Sequence, residues 1–229
     1  MATGFNGFTR TLDFLDALAE HNDRDWFAEN KHRYESDVLE PALAFIAAMR
    51  EPLARFAPRF EAVPKRMNGS LMRVYRDTRF AKDKSPYKTN VGIQFRHGDG
   101  KDVHAPGYYV HIAPGDIFVA AGLWRPEPAA LARIRTTIVE KPLAWKKATN
   151  APAYKRHFDL GGEALVRVPK GYPGDHAYAD DLKRKDFIAS CELSDDAIVK
   201  KSFVKDVSKR FEAADPLMRF LCRAVGVPF

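Results

Sequence analysis

Apolar side chains recur every three or four positions over the first quarter of the chain, which predicts a helical N-terminal region. The first helix is expected to begin after Thr9 or Thr11 and the second after Asn22 or Asp23, because these side chains cap helix N-termini. Pro41 is expected to kink the second helix or to begin a new one at its first turn. Three later prolines are predicted to end the helical region: Pro52, Pro58 and Pro64.

From about residue 70 the apolar positions alternate with polar ones, which is the pattern of half-buried strands. The segment APGD at 113–116 is expected to be a turn between two of them. Because the links are too short for parallel crossovers, the strands are predicted to form an antiparallel meander. The predicted strands cover residues 91–95, 108–112 and 117–121, with SLMRVYRD at 70–77 as a fourth candidate.

Helical spacing returns after Pro126, together with two short runs that could extend the sheet. Helices are predicted at about 127–140, 142–149 and 195–213, and strands near 163–168 and 186–192. The sequence therefore predicts one α+β domain over residues 1–229, in which a central, mainly antiparallel sheet packs with N-terminal and C-terminal helices. Its predicted regions are helical at 9–60, sheet at 70–124 and mixed α/β at 126–229.

The positive charge of the chain is concentrated in one short segment. Between Lys65 and Lys88 there are eight Lys and Arg residues and two acids, so this segment carries +6 of the formal net charge of +7. An evenly basic surface for nucleic acid would distribute its charge differently, so a local anion site is favoured. The alternative is an ordinary solvated loop in which Asp77 and Asp83 pair with their neighbours.

Arginine and lysine side chains of this segment suit carboxylate or phosphate groups, because guanidinium binds them in a bidentate manner and ammonium acts as a point charge. A strand is expected to end near Asp77, followed by a loop that leads through Pro86 into the next strand. The candidate ligand-binding residues here are Arg73, Tyr75, Arg76, Arg79, Lys84 and Lys88.

The polar face of the predicted meander is a second part of the candidate site. Alternation places aromatic, polar and very small side chains there: Lys88, Asn90, Gln94, Arg96, Tyr109, His111, Phe118, Ala120, Gly122 and Trp124. Ala120 and Gly122 leave room that either a ligand or a packed helix would fill, and both interpretations stay open. Tyr109, His111 and Trp124 are the candidate ligand-binding residues of this face.

A third candidate segment is PKGYPGDHAYADDLKRKDF, residues 169–187. Lys170 and Tyr172 precede a Pro-Gly turn, and Asp175 and His176 follow at a predicted helix start. The free amides of that start would favour an anion, and an imidazole can exchange protons near neutral pH. The alternative is a capping Asp175 beside a surface His176.

Other classes of function receive little support. His97, His104 and His111 are spaced seven apart with glycines and prolines between them, so no metal site and no cofactor are predicted. No apolar window is long enough to span a membrane, and no secretory signal is evident. The two cysteines have no metal or redox spacing, so a cytoplasmic location is expected.

Four segments occur in the same order as in a known family: FTRTLDFLDALAEHNDRDWFAENKHRYESDVLEPA, RVYRDTRFAKDKSPYKTN, GYYVHIAPGDIFVAAGLWRPEP and KGYPGDHAYADDLKRKDF. Nearly the whole chain resembles the bacterial and fungal family catalogued as domain of unknown function 2461. It departs from the family pattern at His21-Asn22, where paired asparagines are expected, and at Ala177, where proline is expected. The resemblance implies one globular domain and carries over no catalytic residues.

The leading hypothesis for function is a site for a small phosphorylated or carboxylated molecule, with catalysis left open. The alternatives are a nucleic-acid-binding module, in which tyrosines or Trp124 stack on bases, and a partner-binding protein without catalysis. The sequence predicts no membrane partner, and it does not predict the ligand or the oligomeric state.

Overall fold

The computed structural model describes residues 4–99 and 105–229, and a six-stranded antiparallel sheet lies at its centre. Its strands are β1 (Phe60–Glu61), β2 (Val91–His97), β3 (Gly107–Ala113), β4 (Asp116–Leu123), β5 (Asp159–Gly161) and β6 (Phe187–Glu192). Their order across the sheet is β1-β2-β3-β4-β6-β5. The chain therefore adds β6 beside the meander and β5 at the far edge.

Helices precede and follow the meander. They are α1 (Thr11–Glu20), α2 (Arg24–Glu29), α3 (Lys31–Tyr34), α4 (Glu40–Phe56), α5 (Pro128–Glu140), α6 (Pro142–Thr149), α7 (Pro152–His157), α8 (Ala179–Leu182), α9 (Asp195–Ile198), α10 (Phe203–Ala213) and α11 (Asp215–Val225). A π-helical turn at Glu35–Leu39 joins α3 to α4.

One face of the sheet is buried under the helices. Ile93, Val110 and Val119 lie side by side in register on β2, β3 and β4, and all three are fully buried. The ring of Phe211 on α10 lies 4.7 Å from that of Tyr108 on β3, centroid to centroid. This packing confirms the predicted α+β class and the mainly antiparallel sheet with N-terminal and C-terminal helices.

Most of the predicted regular elements are present. Strands β2, β3, β4 and β6, the turn at 113–116, and helices α5 and α6 lie where the pattern predicts them. Asp23 caps α2 by accepting hydrogen bonds from the backbone N–H groups of Asp25 and Trp26. Neither predicted threonine caps α1, because the hydroxyl of Thr11 donates to the carbonyl oxygen of Asp37 instead.

The predicted strand at 70–77 is wrong. Leu71 forms a single bridge to Ile93, and Tyr75 forms a single bridge to Tyr87. Beside β1, which pairs with β2 at Arg96 and His97, the segment makes only two backbone hydrogen bonds to β2 among the described residues, from Met72 N–H to the carbonyl oxygen of Gly92 and from Gln94 N–H to that of Ser70. The chain instead leaves the sheet and forms a basic hairpin, residues 73–88.

The predictions of a strand at 163–168 and of one long helix at 195–213 are also wrong. The edge strand is β5, and residue Ala164 forms only an isolated bridge to Arg184. Helix α9 ends at Ile198 because its carbonyl oxygen accepts a hydrogen bond from the backbone N–H of Phe8, a contact from the other end of the chain. Pro52, predicted to help end the N-terminal helical region, lies inside α4.

Candidate functional site

The face of the sheet opposite the helical core opens into a pocket of about 510 Å³. Of the two occupants left open by the sequence, no packed helix fills this space among the described residues. The pocket is lined by Met72, Gln94, Ala105, Gly107, Tyr108, Tyr109, His111, Phe118, Ala120, Ala121, Gly122, Trp124, Ile188 and Ser190.

Small residues on neighbouring strands create the room for this pocket. Tyr109 on β3 lies opposite Ala120 on β4, which in turn lies opposite Ser190 on β6. At Gly92 a Cβ atom would lie 2.8 Å from the hydroxyl oxygen of Tyr109, so glycine lets this hydroxyl approach the backbone of β2. Gly122 has a φ of +141°, and a Cβ there would lie 1.9 Å from the carbonyl oxygen of Phe187.

A short polar chain of three side chains begins in the pocket wall with Tyr109 and His111 and ends outside the lining at Asp116, whose side chain is 67% exposed. The hydroxyl of Tyr109 lies 3.0 Å from Nδ1 of His111, and Nε2 of His111 lies 3.6 Å from a carboxylate oxygen of Asp116. Phe118 stacks on the imidazole with a centroid distance of 4.8 Å and an angle of 7° between the rings. This stacking fixes the plane in which the two ring nitrogens point.

Burial sets the protonation states of this chain. It raises the pKa of Tyr109 to about 12, with a smaller contribution from the negative charge of Asp116. Burial also lowers the pKa of His111, although Asp116 acts in the opposite direction. Near neutral pH the tyrosine is therefore a neutral hydroxyl and the imidazole is a neutral acceptor.

Gln94 is the most unusual polar residue of the pocket. Its side chain is 8% exposed, and its Oε1 atom has no hydrogen-bond partner among the described residues. Buried polar atoms are nearly always hydrogen-bonded in folded proteins. Beside the pocket, Oε1 of Gln94 is therefore a buried acceptor without a donor in the described part of the chain.

Trp124 adds an aromatic surface to the lining and is 48% exposed. The guanidinium of Arg125 lies 4.9 Å from the centre of its ring, as a cation–π contact. The backbone at Arg125 has a φ of +45°, and its N–H donates to the buried carboxylate of Asp186. These contacts hold the end of β4 beside the pocket.

Three of the twelve predicted ligand-binding residues line the pocket: Tyr109, His111 and Trp124. Three cations of the basic hairpin, Arg76, Arg79 and Lys84, have local partners instead. Arg76 forms an ion pair with Asp83, and Arg79 with Asp77 at 2.7 Å. The ammonium of Lys84 donates to the carbonyl oxygen of Thr78 at 2.9 Å.

The basic hairpin is attached to the N-terminal helices. The side chain of Asn22 donates to the carbonyl oxygen of Tyr87 and accepts from its N–H, both at 3.0 Å. The ring of Tyr87 stacks on Phe27 at 4.0 Å between centroids, and the exposed Tyr75 lies 5.5 Å from Tyr87. Tyr75 thus contributes to this attachment.

Arg73 and Lys88 flank the hairpin and differ from Arg76, Arg79 and Lys84. Like that of Lys82, their side chains form no hydrogen bond or ion pair within residues 4–99 and 105–229, although the backbone N–H of Lys88 donates to the carbonyl oxygen of Val74 at 2.8 Å. The pKa of Lys88 is lowered by burial and further by the positive charge of Arg73. Two like charges therefore lie close together, which is a setting that an anion would stabilise.

The third candidate segment contains α8 and lies against α5. The hydroxyl of Tyr172 donates to the carbonyl oxygen of Ala132 at 3.1 Å, and the backbone N–H of Tyr178 donates to Nδ1 of His176 at 3.1 Å. The predicted helix start at Asp175 is wrong, because α8 begins at Ala179 and no side chain caps it. Lys170, Tyr172 and His176 do not line the pocket.

Some lining residues were not predicted. Ile188 and Ser190 enter the pocket because β6 pairs with β4, and a pairing between strands so far apart in sequence leaves no local signal. Met72 enters from the irregular segment before the basic hairpin. Asp116, which completes the polar chain, has only its position in the predicted turn as a signal.

Two further features are the grouping of possible metal ligands and the apolar character of the helices. Over the described ranges, no group of three or more His, Cys, Asp or Glu side chains is arranged to hold a metal ion. His104 of the histidine series lies outside the described residues. None of the described helices has the length and apolar character needed to cross a bilayer.

The fold and the pocket define the class of protein: an α+β domain with one antiparallel sheet, helices on one face and an open aromatic pocket on the other. A family model described as "Conserved hypothetical protein (DUF2461)" matches residues 10–220. The chain belongs to this family, which confirms the resemblance seen in its sequence. Neither a curated protein nor a solved structure gives a significant match.

Proposed function

We propose that this protein binds a small, flat, mainly apolar molecule in the pocket of its sheet. The observation that carries this proposal is the open cavity walled by the aromatic residues Tyr109, Phe118 and Trp124. A pocket of about 510 Å³ falls within the roughly 300–1,000 Å³ typical of small-molecule sites. Such sites combine an apolar lining with a few well-placed polar groups.

The walls favour a flat aromatic body. Trp124, Phe118 and Tyr109 line the pocket, and stacking on an aromatic ring contributes about 1–3 kcal/mol in other proteins. Polar recognition would come from the hydroxyl of Tyr109, whose oxygen can accept a hydrogen bond from a donor group of the ligand.

A fluorescence titration with umbelliferone, a flat hydroxycoumarin with one donor hydroxyl, tests the proposal. The readout is the anisotropy of the coumarin's own fluorescence, which does not depend on Trp124. Trp124→Ala should weaken binding about 10- to 100-fold, since about 1.4 kcal/mol corresponds to tenfold. Trp26→Phe serves as the matched control, because Trp26 packs against Phe14 and does not line the pocket. Equal affinity in the wild type and in Trp124→Ala would contradict the proposal.

A second location, outside the pocket, supports the hypothesis that the protein binds a small phosphorylated or carboxylated ligand. Arg73 and Lys88 form the close pair of cations described above, and the lowered pKa of Lys88 supports an anion there. Titration with inorganic phosphate should show binding that is lost in the double variant Arg73→Gln/Lys88→Gln. The control Arg79→Gln changes a cation already paired with Asp77 and should leave binding unchanged. An equal loss in the control would contradict a specific anion site.

A further inference from the structure

We propose that Tyr109, His111 and Asp116 form a proton relay, through which the pocket removes a proton from a weakly acidic O–H or N–H group of its ligand. This inference rests on the proposed function, since it assigns a reaction to the same pocket. The ligand class follows from it: a flat aromatic molecule with an ionisable hydroxyl or ring N–H.

The relay has a defined direction. A neutral Tyr109 donates its hydroxyl hydrogen across the 3.0 Å contact to Nδ1 of His111. The second ring nitrogen, Nε2, then carries the imidazole hydrogen and faces the carboxylate of Asp116 at 3.6 Å. The lone pairs of the tyrosine oxygen remain available to a ligand in the pocket. This order, from acid to imidazole to hydroxyl, is the one in which an imidazole activates a hydroxyl group.

The rigid setting of the relay is a second argument. Phe118 holds the imidazole plane by stacking, and glycine at position 92 lets the Tyr109 hydroxyl lie against β2. The small side chain of Ala120, which lies opposite Tyr109, leaves the space beside Tyr109 open. A proton acceptor for a ligand must be held in place and must be within reach of the ligand.

The proton transfers balance. The ligand proton moves to the oxygen of Tyr109 as the hydroxyl proton of Tyr109 moves to Nδ1 of His111. The products are a ligand anion and an imidazolium, so the net charge of the site is unchanged. Asp116 stabilises the imidazolium, and the reformed Tyr109 hydroxyl donates to the ligand anion. Tyr109 is thus the catalytic residue, while His111 and Asp116 act through it.

A measurement without ligand tests the relay first. Nitrogen NMR shifts of His111 should show the neutral tautomer with hydrogen on Nε2, as the direction of the relay requires. Asp116→Asn should lower the pKa of His111, because the carboxylate favours the charged imidazole. Asp99→Asn is the matched control, since Asp99 lies 3.9 Å from the different histidine His97. Hydrogen on Nδ1 of His111, or an equal effect of both variants, would overturn the relay.

Umbelliferone then tests proton transfer, because its neutral and anionic forms absorb at different wavelengths. The relay predicts that the apparent pKa of the bound probe is at least about one unit lower in the wild type than in Tyr109→Phe or Asp116→Asn, a tenfold difference in ionisation. An apolar pocket without a relay would raise the pKa of the probe equally in all three proteins. Equal probe pKa values in the wild type and both variants would overturn the relay and leave the pocket proposal standing. Absence of binding would overturn the pocket proposal, and the tautomer of His111 would still decide the relay.

Discussion

Replacing Gln94 by methionine should stabilise the protein. Methionine has nearly the volume of glutamine but no acceptor that needs a donor, and Oε1 of Gln94 has none among the described residues. Leaving a buried polar group unsatisfied costs about 1–3 kcal/mol, and since Gln94 retains 8% exposure we expect a gain of about 1 kcal/mol. In a protein of this length, that corresponds to a rise in Tm of about 2–4 °C.

Urea and thermal unfolding of Gln94→Met measure this gain. The contrasting variant is Asn22→Leu, whose side chain makes two hydrogen bonds to the backbone of Tyr87. It should destabilise the protein by about 1–3 kcal/mol. A similar destabilisation in Gln94→Met would refute the reasoning, because it would mean that the native protein satisfies Gln94.

Three further predictions concern the framework and its pH dependence. Gly122→Ala should destabilise the protein by about 3 kcal/mol or more in urea unfolding, because of its positive φ and the contact with Phe187, whereas Gly161→Ala has open space and should change little. Arg135→Met should lower the free energy of unfolding by about 3 kcal/mol, because the buried guanidinium of Arg135 donates to the carbonyl oxygens of Leu182 and Arg184. The control is Arg133→Met at an exposed position, and equal stabilities of the two variants would contradict this role. Burial raises the pKa of Cys222 from 9.0 to about 12, so the stability it contributes is present below pH 9 and is lost as pH rises towards 12. The free energy of unfolding should fall less steeply with rising pH for Cys222→Ala than for Cys191→Ala. Parallel profiles for the two variants would contradict the assignment.

The alternation of side chains predicted the meander and the pocket face, because both depend on neighbouring strands. Tyr109, His111 and Trp124 reach the pocket through the period of two along β3 and β4. The break between α9 and α10 could not be predicted in this way. It lies where the carbonyl oxygen of Ile198 accepts a hydrogen bond from the backbone N–H of Phe8, a residue near the other end of the sequence.

The basic segment illustrates a different limit of sequence reasoning. Its charge excess is evident from composition, but whether its cations converge depends on loop geometry. Arg76 and Arg79 pair with the two acids of the same segment, as the alternative interpretation held. Arg73 and Lys88 stay apart from those pairs because they flank the hairpin. The hypotheses of nucleic-acid binding and of a protein partner stay predictions.

Filling the pocket is the most direct test of the central proposal. Ala120 is 5% exposed and lines the pocket opposite Tyr109, so Ala120→Leu should occupy the space meant for the ligand. Ala113→Leu adds the same volume at the end of β3, outside the lining. In the umbelliferone titration we expect saturable binding by the wild type and by Ala113→Leu, and affinity at least about tenfold weaker for Ala120→Leu. Equal binding by all three proteins, or no saturable binding by the wild type, would contradict a ligand site in the sheet pocket.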